Sequence, residues 1–162
     1  MSCIKKVYIP ETTSTNTILK ELCRDGAKNG LMVYTYNQTK GYGRQGKHWY
    51  SEKDNSITMS ISLLQPPLLP EFPLSIIAGV AVLRAVSFYT CATLSIKWPN
   101  DILLNGRKLC GISCERVFLG DGGYAIVGIG VNVNNSNFPK ELSDIATSLF
   151  LETDNKWDIM QP

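Results

Sequence analysis

A glycine-rich, cationic segment at residues 38–49 is the part of the sequence best suited to hold an anionic ligand. Its glycines and cations are Gly41, Gly43, Gly46, Lys40, Arg44 and Lys47. Glycine permits positive φ angles and lets backbone N–H groups approach a ligand closely, and successive amides in such a loop can form a concave anion site. Arginine adds a planar donor that binds a carboxylate or a phosphate through two hydrogen bonds. The segment therefore predicts a loop that binds a carboxylate or a phosphate.

The same glycines match the dinucleotide-binding pattern G-x-G-x-x-G, but the surrounding sequence argues against a Rossmann fold. That pattern requires a helix that begins at the last glycine and an acidic residue about 20 positions later. Residues 47–55 show no apolar helical period, and residues 62–66 contain no acidic residue. We therefore do not expect a dinucleotide site.

Five polar residues interrupt otherwise apolar strand segments further along the chain: Lys97, Asn100, Asp101, Lys108 and Asn132. Each has a purely structural alternative, because a lysine can extend from a strand end into water and an Asn-Asp pair can form a turn. Together with the glycine-rich loop, they supply cations, exposed amides and a carboxylate that could hold a metal ion. This combination favours nucleotide chemistry.

The composition sets limits on the class of protein. The 162 residues suit one domain, and a content of 44% hydrophobic and 19% charged residues is typical of a globular chain. A net charge of +2 indicates neither a nucleic-acid partner nor an anionic membrane surface. The five cysteines without a signal peptide predict reduced thiols in the cytoplasm, and the single histidine, His48, argues against a structural zinc site.

The elements that must position these residues follow from hydrophobic periodicity. We expect strands at about 4–9, 31–36, 56–63, 94–98, 102–104, 107–118 and 124–134. A helix should follow the capping residues 12–16 and end at 25–26, and a buried helix should span about 73–90, too short in its uncharged part to cross a membrane. Residues 143–149 could start a further helix. Several strands are linked as hairpins, which predicts an α+β fold with a mixed, largely antiparallel sheet.

The order of the motifs resembles that of biotin protein ligases. The matching segments are 14–16 (Ser-Thr-Asn), 38–49, 97–101 (Lys-Trp-Pro-Asn-Asp), 108–112 and 128–132. The resemblance covers roughly residues 5–150. It implies an α/β sandwich related to the catalytic domains of class II aminoacyl-tRNA synthetases, with residues 1–162 as a single catalytic domain.

The resemblance also implies a two-step reaction. Biotin and ATP form biotinyl-5′-adenylate, and the biotinyl group then passes to a lysine of a biotin carboxyl carrier domain of a biotin-dependent carboxylase. The implied catalytic residues are Arg44 and Lys108. The implied biotin-binding residues are Ser14, Thr15, Asn16, Gln38, Gly41, Tyr42, Gly43, Arg44, Trp49, Lys108, Gly111, Ile112 and Gly130. The implied ATP-binding residues are Arg44, Lys47, Lys97, Asn100, Asp101, Lys108 and Asn132, with Asp101 near Mg²⁺.

Two departures from the family pattern leave alternatives open. Tyr42 stands where many members carry a second arginine, which could loosen retention of the adenylate or could let the tyrosine close the pocket. The family commonly continues into a C-terminal domain, which we expect to be missing here, and no N-terminal DNA-binding domain is expected either. The alternative functions are a lipoate or octanoyl ligase or transferase of the same fold, and a biotin-binding remnant without turnover. We also expect residues 40–50 to be mobile without ligand and ordered with it.

Overall fold

The computed structural model describes residues 4–64, 74–119 and 122–160, which form seven strands in one sheet and three α-helices. The strands are β1 (Lys5–Tyr8), β2 (Leu31–Thr35), β3 (Ser56–Leu64), β4 (Leu94–Lys97), β5 (Asp101–Leu104), β6 (Arg107–Leu119) and β7 (Gly122–Asn132). The helices are α1 (Thr15–Arg24), α2 (Leu74–Val86) and α3 (Leu149–Thr153).

The strand order is β1-β2-β3-β7-β6-β5-β4, and only the β1–β2 pair is parallel. The predicted α+β fold with a mixed, largely antiparallel sheet is therefore confirmed. The β5–β6 hairpin turns at Asn105 and Gly106, whose φ angles are 49° and 82°. Two successive positive φ angles are what the tightest hairpin turns require, and Asn-Gly is the pair that adopts them most readily.

Helices cover both faces of the sheet. Ile126 packs in the core beneath α1, whereas the next residue, Val127, packs in the core beneath α2. Successive residues of a strand point to opposite faces, so α1 and α2 lie on opposite sides. Helix α1 connects the parallel strands β1 and β2, and it buries Leu19 and Cys23 fully.

Strand β3 is buried on the face opposite to the one that its pattern suggests. The alternation of Ser and Thr with Ile and Met in residues 56–63 predicts a strand with its apolar face inside. In the structure, Ser56, Thr58, Ser60 and Ser62 are buried on the α1 side. Of the apolar side chains, Ile57, Met59 and Ile61 are only half-buried and Leu63 is exposed. The small hydroxyl side chains allow α1 to approach closely, and they are satisfied by hydrogen bonds, such as Ser60 to Asn16 Oδ1 at 2.6 Å.

Helix α2 is less buried and shorter than predicted. It ends at Val86, and Ile77 and Val80 are 53% and 40% exposed. Only the side that packs on β4, β5, β6 and β7 is covered by described residues, with Gly79 lying against Ile102. An apolar pattern on all sides of a helix indicates burial, but it does not reveal whether a second layer covers the outer side. Pro66, Pro67 and Pro70, which predict a break in the chain before this helix, lie outside the described residues.

A helix starts within the predicted residues 143–149, but only at the last of them, Leu149. The backbone of residues 145–147 instead pairs with β6, since Lys108 N donates to Ile145 O and Thr147 N donates to Lys108 O. The helix begins only at Leu149, after Ser148, whose side-chain oxygen accepts a hydrogen bond from Leu151 N at 3.1 Å. A serine in that position is a common helix N-cap.

Glu152 on α3 ties this helix to the β5–β6 hairpin. Its carboxylate accepts hydrogen bonds from Thr147 Oγ1 at 2.6 Å, Asn105 Nδ2 at 2.7 Å and Arg107 at 2.7 Å. Desolvation by burial would raise the pKa of Glu152, but these three hydrogen bonds and the charge of Arg107 outweigh it and lower the pKa below the usual 4.5.

No helix in the described parts of the chain is long and apolar enough to cross a membrane. Within the same residues, the cysteines Cys23, Cys91, Cys110 and Cys114 are free thiols. Burial raises the pKa of the Cys110 thiol to about 12.

Candidate functional site

A hollow of about 270 Å³ lies on the α1 side of the sheet, bounded by the start of α1, the glycine-rich loop and strands β3, β5, β6 and β7. Fifteen of the residues implied by the motifs line it: Ser14, Thr15, Asn16, Gln38, Tyr42, Gly43, Arg44, Lys47, Trp49, Asn100, Asp101, Lys108, Gly111, Ile112 and Gly130. Segments that are up to 116 positions apart in sequence, from 14 to 130, thus share one cavity.

Three of the implied residues do not line the hollow. Gly41 lies behind Gln38 and Trp49, and Lys97 is exposed at the end of the edge strand β4. Asn132 is buried, and its Nδ2 donates to Thr147 O at 3.0 Å, while its Oδ1 has no hydrogen-bond partner. The fixed bond to Thr147 turns the Asn132 amide toward the residues before α3 rather than into the hollow.

The start of α1 presents three buried polar residues at one end of the hollow. Ser14 occupies the N-cap position, yet its side chain makes no capping hydrogen bond. Thr15 donates its backbone N–H to Gln38 Oε1 at 2.9 Å. Because Ser, Thr and Asn are common helix N-caps, the sequence also allows these residues to serve only as a cap. In the structure the capping group of Ser14 is unused, while all three side chains are buried beside a cavity.

Hydrogen-bond counting restricts what Asn16 can offer a ligand. Its Nδ2 donates to Ser113 Oγ at 3.1 Å and to Glu115 Oε1 at 2.5 Å, so both amide hydrogens are engaged. Its Oδ1 accepts from Ser60 at 2.6 Å, which leaves one acceptor site. Asn16 can therefore accept a hydrogen bond from a ligand N–H but cannot donate one without breaking an existing bond.

Gln38 offers a hydrogen-bond donor, which complements the acceptor of Asn16. Its Oε1 is engaged by Thr15, and within the described residues its Nε2 has no partner that meets hydrogen-bond geometry. A Cβ atom at Gly41 would lie 2.5 Å from Gln38 Nε2 and 3.1 Å from Trp49 Cδ1. Glycine at position 41 thus makes room for these two side chains, rather than supplying a positive φ angle.

The glycine-rich loop folds back on itself. Gly43 N donates to Lys47 O at 2.8 Å and Trp49 N donates to Gly41 O at 2.9 Å, with a turn of 3₁₀ helix at residues 44–46. Of the three loop glycines only Gly46 has a positive φ, 72°, next to Gln45 at 58°. Because several loop amides already bond within the loop, the exposed side chains of Arg44 and Lys47 are its main free donors for an anion.

The indole of Trp49 lies flat against two strand glycines. A Cβ atom at Gly130 would come within 2.6 Å of Trp49 Nε1, and one at Gly111 within 2.9 Å of Trp49 Cζ3. Trp49 Nε1 is buried and has no hydrogen-bond partner. Gly111 and Gly130 face each other across β6 and β7, so together they form the flat bed on which the loop's tryptophan rests.

Lys108, on β6, places a positive charge on one side of the hollow. Its Nζ forms an ion pair with Asp101 Oδ1 at 2.7 Å, although the angles at the two atoms do not meet hydrogen-bond geometry. The same Nζ lies 5.7 Å from the ring centre of Trp49. Asn100 beside it donates from Nδ2 to Ile112 O at 2.8 Å, which fixes the turn between β4 and β5. No group of three or more metal-ligating side chains occurs among residues 4–64, 74–119 and 122–160.

Several residues that line the hollow are not implied by the motifs. They are Gln45, His48, Thr58, Met59, Ser113, Gly128 and Ile129. The signal for Thr58 was present in the sequence, since hydroxyl residues at every second position of a strand must find partners if that face is buried. Ser113 and Gly128 stand opposite each other in the β6–β7 register, and a Cβ at Gly128 would lie 2.7 Å from Ser113 Oγ. No spacing rule in the sequence reveals that pairing.

Comparison with known proteins shows the protein family of this chain. The model of the biotin/lipoate A/B protein ligase family matches residues 8–132, and the chain belongs to that family. The resemblance to biotin protein ligases is confirmed by its relatives. The chain is 40% identical over 157 residues to the bifunctional ligase/repressor BirA of Bacillus spizizenii, covering 94% of this chain and 48% of the relative. It is 33% identical over 147 residues to the biotin–[acetyl-CoA-carboxylase] ligase of Mycobacterium tuberculosis, covering 87% and 53%.

Solved structures show the same likeness. The biotin protein ligase from Aquifex aeolicus in complex with biotin and ATP superposes with a TM-score of 0.82 at 32% identity, covering 95% of this chain and 63% of that one. The biotin protein ligase from Leishmania major in complex with biotin superposes with a TM-score of 0.75 at 27% identity, covering 93% and 64%. The chain spans about half the length of the curated relatives it matches.

Proposed function

We propose that this chain catalyses ATP-dependent attachment of biotin to a lysine of a carrier domain, through biotinyl-5′-adenylate. The observation that carries the proposal is the content of this hollow, where a buried set of neutral hydrogen-bonding groups meets Arg44 and Lys108. Biotin has the same division, a neutral ureido ring at one end and a carboxylate at the other. The relatives named as biotin ligases support this choice.

The neutral end suits the ureido ring in donors and acceptors. A ureido group presents one carbonyl oxygen and two N–H groups. Asn16 Oδ1 can accept from an N–H, while Gln38 Nε2 and the unused hydroxyl of Ser14 can donate to the carbonyl oxygen. These groups are buried, so a ligand that satisfies them gains more than it would at a wet surface.

The cationic end suits the first chemical step. A carboxylate oxygen of biotin attacks the α-phosphorus of ATP, the bond to the bridging oxygen of pyrophosphate breaks, and the mixed anhydride forms. Two anions must be brought together, so positioning and charge neutralisation by Arg44 and Lys108 supply the acceleration, and no side chain need transfer a proton. In the second step the carrier lysine attacks the anhydride carbonyl, AMP leaves, and the amine loses a proton.

Lys108 must change partners when ligands bind. In the structure it is paired with Asp101, and an arriving carboxylate or phosphate would compete for its ammonium group. ATP enters as its Mg²⁺ complex, and Mg²⁺ bound to phosphates typically needs only one or two protein carboxylates. Asp101 is in a position to provide one such ligand once Lys108 turns to the substrates. We propose Lys47 and Asn100 as further contacts of the nucleotide, since both line the hollow.

The partner that follows from this chemistry is the biotin carrier domain of a carboxylase. The relative from Mycobacterium tuberculosis is named for a carboxylase, and the free thiols among the described residues fit a reducing, cytoplasmic location. The adenylate reacts with water, so loop 40–50 should close over it, and we expect slower amide exchange of that loop with biotin and ATP than without them.

Lipoate is the main alternative substrate, because the family includes lipoate ligases. Its dithiolane ring has no N–H or carbonyl group, so it would leave Asn16, Gln38 and Ser14 buried without partners. A site built for hydrogen bonds rejects an analogue that lacks them. The contacts at the start of α1 therefore favour biotin.

Biotin-dependent exchange of pyrophosphate into ATP, followed by transfer to a carrier domain, tests the proposal. We expect exchange with biotin and none with lipoate, and Lys108→Ala should reduce the exchange rate more than it weakens biotin binding. The exposed Lys28→Ala serves as a control for the loss of a positive charge. Biotin binding without exchange would instead identify a protein that binds biotin but does not activate it, and exchange with lipoate would assign the other branch of the family.

A further inference from the structure

We propose that Lys20 and Glu115 are positioning residues that fasten the glycine-rich loop to the biotin end of the hollow, acting through Tyr42 on one side and Asn16 on the other. Neither residue lines the hollow, and neither belongs to the motifs found in the sequence. The inference rests on the proposed function, because it assigns a role within that same site.

The first contact joins α1 to the loop. Lys20 Nζ donates a hydrogen bond to the Tyr42 hydroxyl at 3.3 Å and lies 5.7 Å from the centre of the Tyr42 ring. Tyr42 is half-buried, precedes the exposed residues 44–48 of the loop and lines the hollow. The start of the loop is held by Thr39 N and Lys40 N, which donate to Thr12 O and Thr13 O, whereas the backbone hydrogen bonds of residues 41–49 run within the loop. The Lys20 contact therefore links this later part of the loop to the body of the fold.

The second contact joins Lys20 to β6. Its ammonium group forms an ion pair with Glu115 Oε2, and the two side chains are only 21% and 28% exposed. Glu115 also accepts a hydrogen bond through its other oxygen, Oε1, from Asn16 Nδ2 at 2.5 Å. One carboxylate thus bridges a cation that touches the loop and an amide that lines the biotin end.

The bridge sets the orientation of the Asn16 amide. A carboxylate only accepts hydrogen bonds, so Glu115 forces the NH₂ group of Asn16 toward β6 and leaves Oδ1 facing Ser60 and the hollow. Lys20 and this carboxylate form their ion pair where both side chains are largely buried. Desolvation alone would lower the pKa of Lys20, but hydrogen bonds to Glu115 and Tyr42 outweigh it and raise the pKa, so the cation persists.

Three substitutions separate the contact of Lys20 with Tyr42 from the contact of Glu115 with Asn16. Tyr42→Phe removes only the hydroxyl, Lys20→Met removes the ammonium group at similar length, and Glu115→Gln keeps the size but not the charge. Lys28→Met is the matched control, an exposed lysine just beyond the same helix. The first measurement is amide exchange of residues 41–49 in the ligand-free protein. We expect exchange about fivefold faster in Tyr42→Phe and Lys20→Met, as for the loss of one net hydrogen bond, and no change in the control.

The second measurement separates positioning from general stability. In Tyr42→Phe and Lys20→Met, release of the adenylate should be several-fold faster, and in Lys20→Met, whose residue lies outside the hollow, KM for biotin should stay within twofold. Glu115→Gln should raise KM for biotin about tenfold, because Asn16 loses its charged acceptor. The double variant Lys20→Met/Tyr42→Phe should release the adenylate no faster than Lys20→Met, since both remove the same contact.

Unchanged loop exchange and adenylate release in Tyr42→Phe, whose ring packing is preserved, would overturn the inference even if Lys20→Met fails to fold. Additive effects of the double variant would overturn it as well. If the wild-type protein neither binds biotin nor forms the adenylate, the proposed function fails, whereas the exchange experiment still decides whether Lys20 and Tyr42 hold the loop.

Discussion

Gly130→Ala should displace Trp49 from the sheet and weaken both folding and biotin binding. The added methyl group would lie 2.6 Å from Trp49 Nε1 and 2.7 Å from Trp49 Cζ2, well inside van der Waals contact. Overpacking of this kind costs typically about 1–3 kcal/mol. Replacing a strand glycine by alanine returns about 0.5–1 kcal/mol of chain entropy. The net change in the free energy of unfolding should therefore be a destabilisation of about 1–2 kcal/mol.

Gly43→Ala is the matched control for that experiment. At position 43 the nearest atom to an added Cβ, Lys47 O, would be 3.8 Å away, and φ is −108°, which alanine tolerates. Urea denaturation should show the loss for Gly130→Ala alone, and biotin titration should show an affinity about tenfold weaker. Adding Trp49→Ala to Gly130→Ala should recover stability relative to the sum of the two single changes. Equal stability of the wild type and Gly130→Ala, with unchanged affinity for biotin, would refute the reasoning.

Three further predictions concern other parts of the chain. Arg44→Ala should reduce the rate of pyrophosphate exchange about tenfold to a hundredfold, the range expected for lost charged hydrogen bonds. The midpoint of urea denaturation should stay unchanged, because Arg44 is exposed. A shifted midpoint with full exchange activity would contradict this prediction. Glu152→Gln should destabilise the fold by about 1–3 kcal/mol at neutral pH. Because the pKa of Glu152 is lowered in the folded state, the difference in unfolding free energy between wild type and variant should persist above about pH 4.5 and vanish as the pH falls through the folded pKa. A difference that stays constant in acid would disprove this prediction. Iodoacetamide at pH 8 should modify the exposed Cys91 in the folded protein, whereas the buried Cys110, whose pKa is about 12, should react only after urea unfolds the protein. Mass spectrometry identifies the modified cysteines. Labelling of Cys110 without urea would contradict the prediction and show that the core around it opens.

The sequence predicts well the features that a local pattern determines. The Asn105–Gly106 turn follows from the two positive φ angles that this pair adopts easily. The strands follow from alternation, and the hairpins fix most of the sheet order. The resemblance assigns the loop, the start of α1, Lys97, Lys108 and Asn132 to one ligand site. In the structure the loop, the start of α1 and Lys108 line one hollow, whereas Lys97 and Asn132 do not.

The features that the sequence does not predict depend on what covers each face. The apolar pattern of α2 looks the same whether one side or both are covered, and Ile77 proves to be exposed. The hydroxyl face of β3 is buried because α1 happens to lie on it, with Ser60 bonding to Asn16. Lys97 and Asp101 are paired in register on β4 and β5, but only Asp101 reaches the hollow, since Lys97 sits on the edge strand.

Helix α1 has two duties within ten residues. Its first turn carries Thr15 and Asn16, which face the hollow, and Leu19 and Cys23 one and two turns later fill the core between β2 and β7. A truncated side chain at Leu19 would let the helix shift toward the vacancy and carry Thr15 and Asn16 with it. Under the proposed function, the choice of substrate therefore depends on the packing beneath α1, and a mutation that alters one should be designed with the other in view.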